Sequence, residues 1–434
     1  MTGSYESALA AMRLGSGEAL RLARRATEEA PRSADALALE ASLLVCSRDP
    51  RDAEAAGWAF ARLRRLPLGL RHHEHAQAIA AALDGDFERA GLHYDRLLLK
   101  EPQDTLALWA AQTVDYYLGA APALAARAER VAQHVSPSLP GYHFVLASLA
   151  FGLQECGDYA AAEDHARRAL ELEPADLRAR HALMHVFEMQ GRAAEGLALA
   201  AGSNHLVWHH ALFQLQLGRA RKALELYDGA MRQESLADLI DAAALLWRLR
   251  LDGISDGGRF AGLADAWVTR TDGRPWYVFN DLHAVMALVG AGRIGDAEAV
   301  VERLSGYVHC GGSGTNVAMT AEIGLPASRA IIRFAQERYA DVIDELLPIR
   351  RVLQRFGGSH AQRDVLQRTL LEAALQSRQL DLARALLSER LAVRETSVYG
   401  WTRQARLFEA LGRPVDAAAA AEVAAASRVL ARAS

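Results

Sequence analysis

Along most of the chain, apolar residues recur every three to four positions in stretches that end at a glycine. A second amphipathic stretch, rich in alanine, then follows. That period lays one apolar stripe along a helix, and the alternation that marks strands is nearly absent. Gly85 and Gly119 lie 34 residues apart, as do Gly157 and Gly191. This is the tetratricopeptide period, in which glycine permits the tight turn between the two helices of a pair. Further turns fall at Gly218-Arg219, Gly292-Arg293 and Gly412-Arg413 at irregular intervals. Ala160–Leu172 and Ala220–Tyr227 put alanine where helices must approach closely, and in Glu173-Pro174-Ala175-Asp176 the proline stops one helix and Asp176 can cap the next. The pattern predicts an all-α, tetratricopeptide-like α-α solenoid, a superhelix of antiparallel helix pairs.

In such a solenoid the first helix of each pair usually lines the concave side and the second backs it. First helices are expected at 69–84, 139–155, 176–190, 204–217, 237–251 and 278–290. Gly306–Gly314 reads as a loop between helices and lacks the Lys-Ser/Thr of a phosphate loop. Gly357-Gly358-Ser359 precedes a helical run and is read first as a cap, with anion binding by its free amides as the alternative. One interval breaks the beat: Gly191 to Gly218 spans 27 residues. A short second helix there could draw the two flanking first helices together.

Composition changes this picture little. Of 434 residues, 51% are hydrophobic and 24% charged, enough apolar surface for a continuous core but too long a chain for one packed ball. A net charge of -4 argues against a nucleic-acid partner. Cys46, Cys156 and Cys310 are odd in number, far apart and without a CxxC, so neither a disulfide framework nor a cysteine zinc site is expected. The first residues lack a basic stretch followed by an apolar one, and no apolar run reaches membrane-spanning length. The expected location is the cytoplasm, with no membrane partner.

The densest chemistry falls on the expected concave helices. His181, His185 and Glu188 form H-x3-H-x2-E. At about 100° per residue the histidines differ by roughly 40° and Glu188 falls roughly 20° to the other side, so all three share a face. The next first helix carries His205-x3-His209 with Trp208 between, 24 residues after the first pair. Two imidazoles at i and i+4 can converge on one ion. Tyr142 and His143, Asp238 and Asp241, and Asp281 with His283 occupy neighbouring first helices, and of His72, His73 and His75 only His75 suits the groove. Such a cluster suits zinc, iron or manganese better than calcium. Three readings stay open: a metal site, a metal-free binding or acid–base pocket, and histidines that cap carbonyls or bridge helices, with Asp238 and Asp281 as helix caps.

His181–Arg192 (HALMHVFEMQGR) and Asn204–Leu212 (NHLVWHHAL) resemble the tetratricopeptide repeat protein 38 family. The resemblance continues through Asp238–Leu249, Phe279–Leu288, Leu346–Arg350, Gly357–Val365 and Ala383–Arg390. It implies a repeat core over 69–392, between N-terminal helices in 1–68 and C-terminal capping helices in 393–434. It also implies that Asn280, Asp281 and His283 (N-D-x-H) and Ala361 to Asp364 (A-Q-R-D) belong with the histidines. Leu206 and His360 stand where the family often has asparagine. The resemblance implies no established reaction.

Two functions follow as expectations. In the first, His181, His185, His205 and His209 hold a metal, Glu188, Asp281 and His283 take catalytic roles, and Trp208, Tyr142, His143, Asp241, Asn280 and Arg363 contact the substrate. Arg363 would grip a carboxylate or phosphate, and the reaction would be metal-assisted hydrolysis of an amide or ester. In the second, the groove is a scaffold for a peptide or protein partner. The C-terminal alanine run, Ala417–Ala425, leaves a homodimer open beside a plain end cap.

Overall fold

Helix starts follow the side chains able to accept from the free amides of a first turn. Ser33, Asp49, Asp86, Asp104, Asp158, Asp176, Ser203, Ser235, Ser359 and Ser397 all do so. Gly119 and Gly191 close their helices in the left-handed region, at φ +62° and +79°. The computed structural model describes residues 3–270, 273, 275–310 and 312–433, among which no strand occurs.

The first pairs are α1 (Gly3–Leu14) with α2 (Ala19–Glu29), α3 (Ala34–Val45) with α4 (Pro50–Leu63), and α5 (Leu70–Leu83) with α6 (Phe87–Lys100). Next come α7 (Thr105–Leu118) with α8 (Ala121–His134), α9 (Tyr142–Glu155) with α10 (Tyr159–Leu172), and α11 (Leu177–Gln190) with α12 (Ala193–Ala198). Then follow α13 (Asn204–Gln216) with α14 (Ala220–Gly229), α15 (Leu236–Leu251) with α16 (Arg259–Val268), and α17 (Val278–Gly290) with α18 (Ile294–Cys310). A short α19 (Thr315–Met319) and a π-helical turn lead into α20 (Leu325–Ala335) and α21 (Tyr339–Leu346). After a 3-10 turn, α22 (His360–Gln376) pairs with α23 (Leu380–Val393) and α24 (Val398–Ala410) with α25 (Pro414–Ala433). The protein is a tetratricopeptide-like α-α solenoid. Its buried alanines, among them Ala162, Ala166, Ala169, Ala179 and Ala182, lie where α9, α10 and α11 meet.

Three sequence readings meet the structure here. The loop expected over Gly306–Gly314 is mostly helix. Leu304 and Tyr307 are buried three residues apart, so the buried face of α18 continues past Gly306, and the helix runs to Cys310. Gly311 lies outside the described residues. Gly357-Gly358-Ser359 is a cap: Ser359 accepts from the Gln362 amide, and the Gln362 side chain returns the bond. The 27-residue interval holds a second helix of only six residues, α12.

The groove is not left open. The Asn316 amide donates to Gly85 O at 3.1 Å and the Phe87 amide to Thr315 Oγ1 at 2.7 Å. A Cβ on Gly119 would stand 1.7 Å from Gln354 O. The His360 amide donates to Glu155 Oε1 at 3.2 Å, and Thr396 Oγ1 donates to Gln190 O at 3.3 Å. Residues 315–396 therefore run along the turn edge of the earlier pairs, and α25 packs on α24 and reaches α12. No helix among the described residues is long and apolar enough to cross a membrane.

The six-residue α12 owes its closeness to α13 to one missing side chain, since a Cβ on Gly196 would meet the Phe213 ring at 2.2 Å. In an open helix, Gly→Ala stabilises by about 1 kcal/mol. Here overpacking reverses the sign, and Gly196→Ala is expected to cost about 1–3 kcal/mol. The urea midpoint measures it, and a stabilised variant would contradict the packing.

Candidate metal centre and its cavity

His181 and His185 come from α11, and His205 and His209 from α13. The i,i+4 spacing stacks each pair on one face, and α11 and α13 pack against each other as successive first helices do elsewhere in the solenoid. One ring nitrogen from each of the four lies within 4.8 Å of the others. The Nε2 atoms of His181 and His185 are 2.9 Å apart, and those of His181 and His205 are 3.0 Å apart. A tetrahedral ion with Zn–N near 2.0–2.1 Å would set its nitrogens roughly 3.3 Å apart. The two short separations lie slightly inside that value, and the widest in the set is no more than 4.8 Å.

Two carboxylates stand behind the rings. His205 Nδ1 donates to Asp241 Oδ2 at 2.6 Å, and His209 Nδ1 donates to Glu188 Oε2 at 3.2 Å. Each bond leaves the ring's Nε2 with its lone pair facing inward, the second-shell arrangement of histidine metal ligands. His209 Nε2 is buried with no hydrogen-bond partner, as is His185 Nδ1. Burial, and then the neighbouring imidazoles, hold His185 and His181 well below the usual histidine range, and burial with His205 does so for His209. Neutral rings are the form that binds metal. Phe151 stacks on His181 and Trp208 on His205, with ring centroids 5.3 and 5.4 Å apart.

His181, His205 and Asp241 face a cavity of about 410 Å³ whose other polar walls include Arg48, Tyr116, Arg178 and Gln362. That volume lies within the usual range of metabolite pockets, about 300–1,000 Å³. Gln362 belongs to the A-Q-R-D segment that the family resemblance placed with the histidines, whereas Arg48, Tyr116 and Arg178 stand in no motif of the sequence. Arg48 carries a positive φ of 67° and Arg178 lies beside the turn at Gly15, so both reach the cavity through packing that no local motif announces.

The remaining sequence candidates separate into roles. Trp208 is fully buried and lies under His205, so it braces the ring instead of contacting a substrate. Glu188 lies behind His209, and burial pushes its carboxyl up. His143 donates through Nδ1 to Asp176 at 2.7 Å, and Tyr142 is half-buried beside it. Both stand at the start of α9, about 12 Å along the helix from Phe151, outside the cavity lining. Arg363 is buried and donates to Glu155 Oε2 at 3.2 Å and to Gly358 O, so its charge is engaged inside the protein. Glu155 also receives the His360 amide at the start of α22, so the protein's own carboxylate occupies that helix N-terminus.

Asp281 pairs with Arg303 at 2.9 Å, and Asn280 donates to Arg48 O at 2.9 Å, holding that cavity residue from outside. Asp281 does not cap α17, whose N-cap is Tyr277, whereas Asp238 does complete the capping box of α15. His283 donates through Nδ1 to Phe279 O at 2.7 Å and is not a member of the four-histidine cluster. His75 pairs with Asp104 at 3.0 Å and is a structural residue. Cys46, Cys156 and Cys310 are free thiols.

No family model matches the chain. Among solved structures, the human IFIT1 dimer with PPP-AAAA shares 14% identity over 94% of this chain and 86% of that one, at a TM-score of 0.38. The APC/C hetero-tetramer Cut9-Hcn1 shares 13% identity over 94% and 84%, at a TM-score of 0.32. Likeness at that level carries neither ligand nor activity from those proteins to this chain.

Burial pushes His283 down to about 4. Its folded value lies below the unfolded value near 6.5, so the unfolded chain binds the proton first and stability falls as pH drops from about 6.5 toward 4. His283→Asn keeps a donor toward Phe279 O and removes the titration. Its loss of stability between about pH 7 and pH 5 should be smaller than the parent's by roughly 2 kcal/mol. Urea unfolding at both pH values reads the difference, and equal slopes would contradict it.

Proposed function

We propose that this helical-repeat protein holds a divalent transition metal on His181, His185, His205 and His209 and binds a small molecule in the cavity beside it. The observation that carries the reading is the convergence of four imidazoles, two of them fixed through Nδ1 by Asp241 and Glu188. An all-nitrogen set suits zinc or iron well and manganese least, since manganese stands lowest in nitrogen affinity. Four imidazoles fill a tetrahedral zinc shell. An ion that accepts five or six ligands keeps open positions on the cavity side, where a Lewis acid can polarise an amide or ester carbonyl for hydrolysis. Arg48 and Arg178 on the cavity wall suit an acidic group on that molecule. The resemblance to the tetratricopeptide repeat protein 38 family runs through both histidine pairs and supports assigning the chain there.

The second reading keeps the fold and sets the chemistry aside: a tetratricopeptide-like scaffold that binds a peptide or protein partner, with structural histidines. Its support is the architecture, because stacked helix pairs present long continuous surfaces to partners.

Metal analysis of untagged protein separates the two. The first reading expects about one equivalent of zinc or iron per chain, and a melting temperature that rises on adding that metal to chelated protein. His185→Ala and His209→Ala should each weaken binding by about 10²-fold or more while the chain stays helical, as the loss of one zinc ligand implies. Chelated protein that melts identically with zinc, iron and manganese would leave only the scaffold.

A further inference from the structure

On the far side of Glu188 from the imidazoles lies a second cavity, of about 300 Å³. Six guanidinium groups line it, from Arg248, Arg368, Arg390, Arg394, Arg403 and Arg428. The carboxylates that meet them are fewer. Asp364 alone serves Arg368 at 2.7 Å, Arg390 at 2.6 Å and Arg394 at 3.8 Å. Glu372 and Asp252 both pair with Arg403, and Glu372 also takes Arg406. Arg248 is fully buried, and its donors go to the carbonyls of Ala244 and Ala361.

Several of these donors are poorly served. Arg394 Nη2 spends its bond on the thioether of Met189, 2.9 Å away, which is a weak acceptor. The Nε atoms of Arg390 and Arg428 are buried with no hydrogen-bond partner. Buried donors in a folded protein are nearly always satisfied, and uncompensated buried charge is costly. Arg368, Arg390 and Arg403 also crowd the Tyr399 ring, with guanidinium carbons 4.2, 4.9 and 4.4 Å from its centroid. An acceptor with several oxygens would relieve all of these at once.

We propose that this arginine-lined cavity binds the phosphoryl group of a small phosphate monoester. Phosphate is favoured over carboxylate because the guanidiniums come from four different helices, α15, α22, α23 and α24, with Arg394 beyond α23 and Arg428 on α25. Donors converging from many directions match a tetrahedral dianion, whereas a planar carboxylate is served by a single fork. The volume admits the phosphoryl group and a small body. Glu188 forms part of the wall of this cavity and accepts from His209, so a bound anion would lie one residue away from the imidazole cluster.

The test uses the full chain after chelation, so that phosphate cannot act through a metal. Glycerol phosphate, inorganic phosphate, succinate and sodium chloride are titrated at matched ionic strength, with melting temperature and calorimetry as readouts. Glycerol phosphate is expected to raise the melting temperature saturably, with inorganic phosphate weaker and succinate and chloride without a saturable effect. Arg394→Gln and Arg428→Gln are each expected to weaken glycerol phosphate at least about tenfold, the loss of a charge-assisted bond. Arg428 is partly exposed on the last helix, so its variant tests the site even if Arg394→Gln fails to fold. A response that follows ionic strength alone, a succinate response equal to that of glycerol phosphate, or full binding in the Arg428→Gln protein would overturn the assignment.

Discussion

The packing of α11 against α13, with a histidine pair on each, is the constraint on which the site depends. Successive first helices touch across longer second helices as well, as α9 touches α11 and α13 touches α15, so what sets this step apart is the facing histidine pairs. Between α11 and α13, α12 has six residues, Gly196 lets the Phe213 ring lie against its backbone, and Leu199 O receives a bond from His210 at 2.9 Å. The C-terminal helix α25 packs on α12, with Ala431 in the same buried cluster as Ala193 and Phe213. The four imidazoles are neighbours because each i,i+4 pair stands on the side of its helix that faces the other.

A second regularity ties consecutive pairs together and is reused at the site. His75 pairs with Asp104 and His143 with Asp176, and both carboxylates also cap the following first helix. These are structural fastenings: one acid satisfies a helix start and a histidine of the preceding repeat. His205 and Asp241 repeat the pairing with a change. Ser235 has taken over the cap, and Asp241 sits inside α15, facing the cavity. Freed from capping, the carboxylate orients an imidazole whose other nitrogen faces the cluster.

Much of the fold was legible because its determinants are local. Glycine turns, alanine faces and Asp or Ser caps are read within a few residues of one another, and Asp176 and Ser359 cap as their contexts imply. The four histidines were legible for the same reason, since i,i+4 spacing fixes a face. Helix faces, however, do not say what lies opposite. Trp208 looked like a contact residue and is a buried brace, and Arg363 looked like an anion grip and is spent on Glu155. Asp281 and His283 share helical spacing with the site yet answer to Arg303 and Phe279 O. The cavity walls at Arg48, Tyr116 and Gln362, and the arginine ring around Asp364, come from residues far apart in sequence. Only the return of residues 315–396 along the earlier turns brings them together.

The two cavities lie on either side of one small electrostatic unit: imidazoles on one side, excess guanidinium on the other, with Glu188 between them. The central claim is that the imidazoles form one coordination shell. X-ray absorption at the metal edge, on protein loaded with one equivalent of zinc, tests it most directly. The account predicts a first shell of about four nitrogens near 2.0–2.1 Å, with the outer-shell scattering of imidazole, reduced by one ring in His185→Ala. A shell of oxygen or sulfur, or one unchanged in His185→Ala, would contradict it.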